Sequence, residues 1–283
     1  MGSIALVTDS TAYLPPEVVA QYGITVVPLY VNFGDDSYRD DIDITPNEFY
    51  ARLPIVNVMP STSQPSRGDF AAVYRRLADA GATAILSVHI SSLLSGTVSS
   101  ALMACDDVTD VPIHVVDSLS TSMGLGFLVL EAARQAAAGR PAADIARALE
   151  TVRDRIRILF VVDTLEFLHR GGRIGGAAAL LGSMLNLKPL LTLREGRIDA
   201  VERVRTKRRA LNRMLEAMVS EFGRTPVRAA VIQAAAREEA QDFLAQVRAQ
   251  MDCRETMLTE LSPVIGTHTG PGTIGLVILP FET

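Results

Sequence analysis

Apolar residues along this chain fall into short runs of two kinds. "IALVTD", "ATAILSVHI" (82–90) and "VPIHVVDS" (111–118) are nearly continuous stretches of strand length, as strands buried on both faces require. "ITVVPLYV" (24–31) reads as a further strand. Between these lie helix-period segments. "PPEVVAQYG" opens on prolines. "SRGDFAAVYRRLADAG" begins with the capping pair Ser66 and Asp69, carries Phe70, Val73 and Leu77 on one face, and stops at Gly81. "SMGLGFLVLEAARQAAAG" ends at Gly139. Strands alternating with helices predict a mostly parallel sheet flanked by helices.

The pattern changes near residue 140. "RPAADIARALETVRDRI" is a helix opened by Pro141, and "ILFVVDT" a strand. "LKPLLTLREGRIDAVERV" predicts a hairpin turning at Glu195-Gly196. Two long helices follow, "TKRRALNRMLEAMVSEF" and "REEAQDFLAQVRAQM", with the strand "PVRAAVIQA" between them and "TIGLVIL" last. The expected architecture is α/β in two domains. Residues 1–150 form the mostly parallel domain, and 151–283 an α+β domain with a mixed or antiparallel sheet, the boundary falling within 140–157.

Composition narrows the function. Hydrophobic residues make up 48% of 283, enough for sizeable cores, and the net charge is −5. That balance argues against a general nucleic-acid binder, which needs a basic face. Cys105 and Cys253 suit a reduced, cytoplasmic setting rather than a disulfide framework. "MGSIALVTDS" breaks its apolar run at Asp9 and does not read as a secretory signal, and no apolar stretch reaches membrane-span length. The four histidines lack metal-ligand spacing. Asp35, Asp36, Asp40, Asp41 and Asp43 read as a solvated acidic loop, without the glycine and terminal glutamate of a calcium loop. G-x-S-x-G and the P-loop pattern are absent, and "GLGFLV" carries Val129 where a dinucleotide fingerprint needs glycine. Neither a metal nor a cofactor is expected.

What remains is three polar segments at strand ends: "STSQPS" (61–66), "ISSLLSGTVSSA" (90–101) and "IGTHTGPGT" (265–273). Hydroxyls cap helices and fill turns. They also donate to a small anionic head, such as a carboxylate, without adding a fixed charge, and the crevice at the strand ends of an open α/β sheet is where ligands bind.

"VTDSTAYLPPE", "TSQPSRGDF", "ISSLLSGTVSSA", "VVDSLSTSMGLGFLV", "DTLEFLHRGGRIGGAAALLGSMLNLKPLL", "EGRI" and "IGTHTGPGTIGL" together resemble, in order, the motifs of the DegV family across residues 7–276. One departure is Leu93, where the family often has glycine after the Ser-Ser pair; the resemblance ties that position to the pocket mouth. It implies a bacterial, cytoplasmic, non-enzymatic protein that binds a long-chain fatty acid such as palmitate, stearate or oleate between its domains. Thr62 and Ser95 would hold the carboxylate, with Ser63 and Gly96 beside them and His268 near the head group. It implies a fatty acid kinase as partner, with the acyl-phosphate feeding phospholipid synthesis. Arg173, Arg203 and Arg205 would contact the head group or the partner. The basic run 202–213, opposed within itself only by Glu202, is an expected docking surface and a point of transient contact with anionic lipid. Two other readings stay open: an acyl-ester hydrolase using Ser95, with His268 or His89 as base, and a regulatory module that senses an acyl ligand.

Overall fold

The structure is a computed structural model describing residues 3–56, 58–181 and 187–281. The chain runs β1 (Ser3–Asp9), α1 (Pro16–Tyr22), β2 (Thr25–Val27), β3 (Tyr30–Phe33), β4 (Asp36–Arg39), α2 (Pro46–Arg52), β5 (Ser61–Ser63), α3 (Arg67–Asp79) and β6 (Ala82–His89). It continues through α4 (Thr97–Ala104), β7 (Ile113–Asp117), α5 (Ser122–Ala137) and α6 (Ala142–Arg155). Then come β8 (Arg157–Val161), α7 (Glu166–Arg170), β9 (Lys188–Arg194), β10 (Arg197–Val204) and α8 (Lys207–Phe222). The last elements are β11 (Val227–Gln233), α9 (Arg237–Gln250), β12 (Cys253–Glu260), α10 (Pro263–Thr269) and β13 (Ile274–Pro280).

Two compact units emerge. The first comprises residues 1–44 and 62–154, the second 45–61 and 155–283. In the first, β2-β1-β6-β7 form a wholly parallel sheet. Phe70 and Tyr74 of α3 and Ala101 and Ala104 of α4 bury against Val7, Val27 and Ile85 of that sheet. α5 also packs on β1 and β6, and its Met123, Leu125, Phe127 and Leu128 are at most 1% exposed. The expected single strand 24–31 is two. Pro28 has no N–H to continue a ladder; β2 joins the parallel sheet, and β3 pairs instead with β4 and β5 in a three-stranded sheet.

The second unit is built on the six-stranded mixed sheet β10-β9-β8-β13-β11-β12. Only β11 and β12 run parallel among its pairs. α8 and α9 cover it with Leu211, Met214, Met218, Phe243 and Val247, packed on Val227, Val231, Leu276 and Ile278. The β9–β10 hairpin turns at Glu195 (φ 48°) and Gly196 (φ 79°), the double positive φ of a type I′ connection. α2 belongs here too. Its Thr45–Glu48 capping box starts it, Phe49 is fully buried, and the Tyr50 hydroxyl donates to the Leu261 carbonyl at 3.1 Å.

The acidic run is not uniformly a solvated loop. Asp40 is 1% exposed and accepts from the Ser10 hydroxyl at 2.7 Å. Asp43 accepts from Arg39 Nε at 2.8 Å, and that contact holds its carboxyl down to about 2.

Candidate ligand site

Parallel strands deliver three loops to one edge of the first unit's main sheet: those after Asp9, His89 and Asp117. Asp9 organises that edge. Its carboxylate accepts from the Thr11 amide (3.0 Å), the Thr11 hydroxyl (2.6 Å) and the Ile90 amide (2.9 Å), and lies 3.1 Å from His89 Nδ1. His89 Nε2 is 2.6 Å from the Ser87 hydroxyl, itself 2.8 Å from the Tyr74 hydroxyl. Asp9, Ser87 and His89 are all fully buried. Both His89 ring nitrogens are thus engaged away from solvent, which removes His89 as a base for Ser95.

Beyond Ile90 the loop coils on itself. Ser91 donates its amide to the Ser120 carbonyl (2.8 Å), and Ser95 donates its amide to the Ser91 carbonyl (3.0 Å). The half-buried Ser95 hydroxyl shares a 2.9 Å hydrogen bond with Thr97. Gly96 caps α4 without a side-chain oxygen. Its missing side chain makes room for Gln64: a Cβ there would sit 2.9 Å from Gln64 Nε2. This packing brings the segment holding Thr62 and Ser63 beside the one holding Ser95 and Gly96. Thr62 is half-buried; Ser63 is exposed and accepts from Asn32 Nδ2 at 3.4 Å. Ser66 and Asp69 form the expected capping box at the start of α3. Leu93 is 47% exposed, so its bulk points largely to solvent.

In the second unit His268, on α10, packs over Gly171, where a Cβ would lie 2.2 Å from Nδ1. Arg173 donates to the Gly171 carbonyl at 2.6 Å, which gathers His268 and Arg173 around one turn. Burial, and secondarily the Arg173 charge, push the His268 imidazole down to about 4. At neutral pH it is therefore an uncharged ring. Arg203 is exposed and donates to the Ala179 carbonyl at 3.4 Å. Arg205 lines a cleft of about 750 Å³ with Asp163, Glu166, His169, Lys188 and Lys207.

The basic run is partly neutralised from outside itself. Lys207 pairs with Glu239 (2.7 Å), and Arg213 with Glu216 (2.7 Å) as well as Glu202 (3.0 Å). Arg203, Arg205, Arg208 and Arg209 remain exposed. The sequence reading named neither Gln64 nor Asp9 as part of the site. A glycine just before a helix, facing a polar segment of unknown position, gave no clue to Gln64. Asp9 was visible only as the polar end of a strand.

These features define a two-unit α/β protein with neutral donors gathered where the first unit's strands end. The sequence model described as "Uncharacterised protein, DegV family" matches residues 3–280. The chain belongs to the DegV family. A DegV domain-containing protein of Streptomyces coelicolor is 41% identical over 276 residues, 97% of this chain and 98% of that protein. A DegV family protein from Thermus thermophilus, whose structure is described by its fatty acid binding, superposes with a TM-score of 0.93 at 40% identity, covering 99% of this chain and all of that one. A stearic acid-binding protein from Eubacterium ventriosum superposes with a TM-score of 0.91 at 28% identity, covering 98% of each chain. Among the described residues no helix is long and apolar enough to cross a membrane.

Proposed function

We propose that this protein is a carrier that binds a long-chain fatty acid and has no catalysis of its own. The observation that carries this reading is the likeness over nearly the whole chain to the Thermus thermophilus fatty-acid-binding protein at 40% identity. The neutral donors beside Gly96 support it, because they suit a carboxylate. In this reading Thr62 and Ser95 hold the carboxylate, Ser63 and Gly96 complete that cradle, and neutral His268 contributes from its own turn with Arg173. A fatty acid kinase then phosphorylates the presented carboxylate, with Arg203 and Arg205 facing that partner, and the product feeds phospholipid synthesis in the cytoplasm.

The energetics divide the work. Each buried methylene contributes about 0.8 kcal/mol, so a palmitate tail supplies roughly 12 kcal/mol before ordering costs. A hydrogen bond to a charged head contributes about 1.5–3 kcal/mol. The tail sets affinity and the hydroxyls set where the head lies. Organic extraction of gently purified protein, followed by mass spectrometry, is expected to yield one fatty acid per chain. Protein that releases no acyl chain and takes up none when palmitate is added would overturn the reading. Incubation with an acyl ester separates the hydrolase alternative, since a carrier leaves the ester intact.

A further inference from the structure

The turn between β7 and α5, "DSLSTSMG", carries hydroxyls that the proposed carboxylate cradle does not use. Its backbone is held firmly. Ser118 donates its amide to the His89 carbonyl (3.0 Å), its hydroxyl donates to the Ser120 carbonyl (3.1 Å), and Ser120 returns its amide to that hydroxyl (3.1 Å). Leu119 (φ 45°) and Ser122 (φ 53°) both occupy the left-handed region, which side chains adopt at a cost. The turn opens α5, a helix of 16 residues whose N-cap, Thr121, makes no side-chain capping bond.

Three hydroxyls here, those of Ser120, Thr121 and Ser122, are buried and have no hydrogen-bond partner among the described residues. Ser120 is 5% exposed and Ser122 2%. Buried polar groups are ordinarily satisfied, and a cluster of three that is not calls for an explanation. Capping is not that explanation, because the hydroxyls leave the first-turn amides of α5 alone. Of the charges nearby, Arg153 Nε lies 3.6 Å from the Asp154 carboxylate. Asp117 accepts from the Leu119 amide (2.9 Å) and the Ser92 amide (3.3 Å to each oxygen), while Arg153 Nη1 donates to the Asp117 carbonyl (3.1 Å).

We propose that Ser120, Thr121 and Ser122, with the Ser122 and Met123 amides at the start of α5, form a buried site for a single small oxyanion: a carboxylate or a phosphate-type group. The Gly124 amide is already given to the Thr121 carbonyl at 3.1 Å. The donors are neutral, and the helix end adds partial positive charge, the combination that binds oxygen anions without a fixed cation. Thr121 is only half-buried, so the turn is not sealed from solvent. The turn adjoins the loop that carries Ser95, since the Ser91 amide donates to the Ser120 carbonyl (2.8 Å) and the Ser95 amide to the Ser91 carbonyl (3.0 Å), but the proposal does not depend on the assignment of Thr62 and Ser95.

Delipidated protein titrated with sodium acetate, inorganic phosphate and, separately, palmitate tests this by amide NMR at Ser122, Met123 and Gly124. A saturable shift of these amides with at least one probe is expected. A shift with both acetate and palmitate that is lost in Ser120→Ala/Ser122→Ala identifies an acyl carboxylate as the occupant and moves the head group from Thr62 and Ser95 to this turn; a shift with phosphate alone identifies a free inorganic anion. In Ser120→Ala/Ser122→Ala the titration midpoint rises about tenfold or more, the loss of charge-assisted donors. The same variant without anion melts higher than wild type, because it no longer buries unsatisfied hydroxyls. Ser122→Gly, which suits the positive φ, weakens the anion response without straining the turn. Amides that stay still with every probe, an unchanged midpoint in the double variant, or a lower anion-free melting temperature would each overturn the site. Failure of palmitate alone to bind, with acetate or phosphate still shifting these amides, would count against the fatty acid reading and leave this site standing.

Discussion

Among single residues His268 makes the sharpest forecast. Its imidazole titrates near 4 in the folded protein, against an ordinary value near 6.5. Between those values the unfolded chain holds a proton that the folded one lacks, so stability rises with pH across that window. Urea unfolding is expected to give a plateau above about pH 6.5 and a loss of roughly 3 kcal/mol as pH falls towards 4. His268→Gln should lack that slope; an unchanged slope would assign the titration elsewhere. Thr62→Ala with Ser95→Ala tests the proposed carboxylate cradle. Tail burial keeps lipid bound, while the head loses two donors. Copurified fatty acid should persist, and phosphorylation by a fatty acid kinase should fall at least tenfold. A normal rate would remove both hydroxyls from the head-group assignment. Hydroxyl-rich segments were readable as candidates because polar residues interrupt apolar runs. Their partners were not, since Gln64 reaches Gly96 across 32 positions, a contact that exists only after folding.

Between elements, Asp9 joins the end of β1 to the end of β6 through the Ile90 amide and His89. Asp9→Ala strands those groups and the Thr11 donors in a fully buried place. Urea denaturation should show a loss of about 3 kcal/mol or more, with the fold retained; a loss under about 1 kcal/mol would mean that neighbouring groups replace it. Local signals announced the elements best where chemistry is local. The Ser66–Asp69 box and the Glu195-Gly196 turn each need only a few adjacent residues. β12 escaped notice because "CRETMLTE" shows no alternation, and its residues are mostly half-buried at the sheet edge. α10 hid in a segment that read as polar loop, although Pro263 stands at its start. No helix is expected at α2 from the sequence; the structure shows its Thr45–Glu48 capping box, which marks a helix that leaves the first unit.

For the whole molecule, charge and connectivity matter more than any single contact. A chain of net charge −5 keeps Arg203, Arg205, Arg208 and Arg209 exposed along one stretch. Charge of this kind speeds encounter with an acidic partner and fixes orientation. Arg203→Glu with Arg205→Glu should leave lipid content and melting temperature near wild type, yet slow phosphorylation by a fatty acid kinase and flatten its dependence on salt. Identical rates across a salt series would make these arginines ordinary surface charge. Connectivity carries a different consequence, one of timing. α2 belongs to the second unit although it is made early, and its Tyr50 bonds to Leu261, 211 residues later. At about 5–20 residues per second, the ribosome needs roughly ten to forty seconds to supply that partner. Throughout that interval Phe49 has no core to enter. The nascent chain must hold a short helix with its Phe49 uncovered, a window in which chaperones and proteases can reach it.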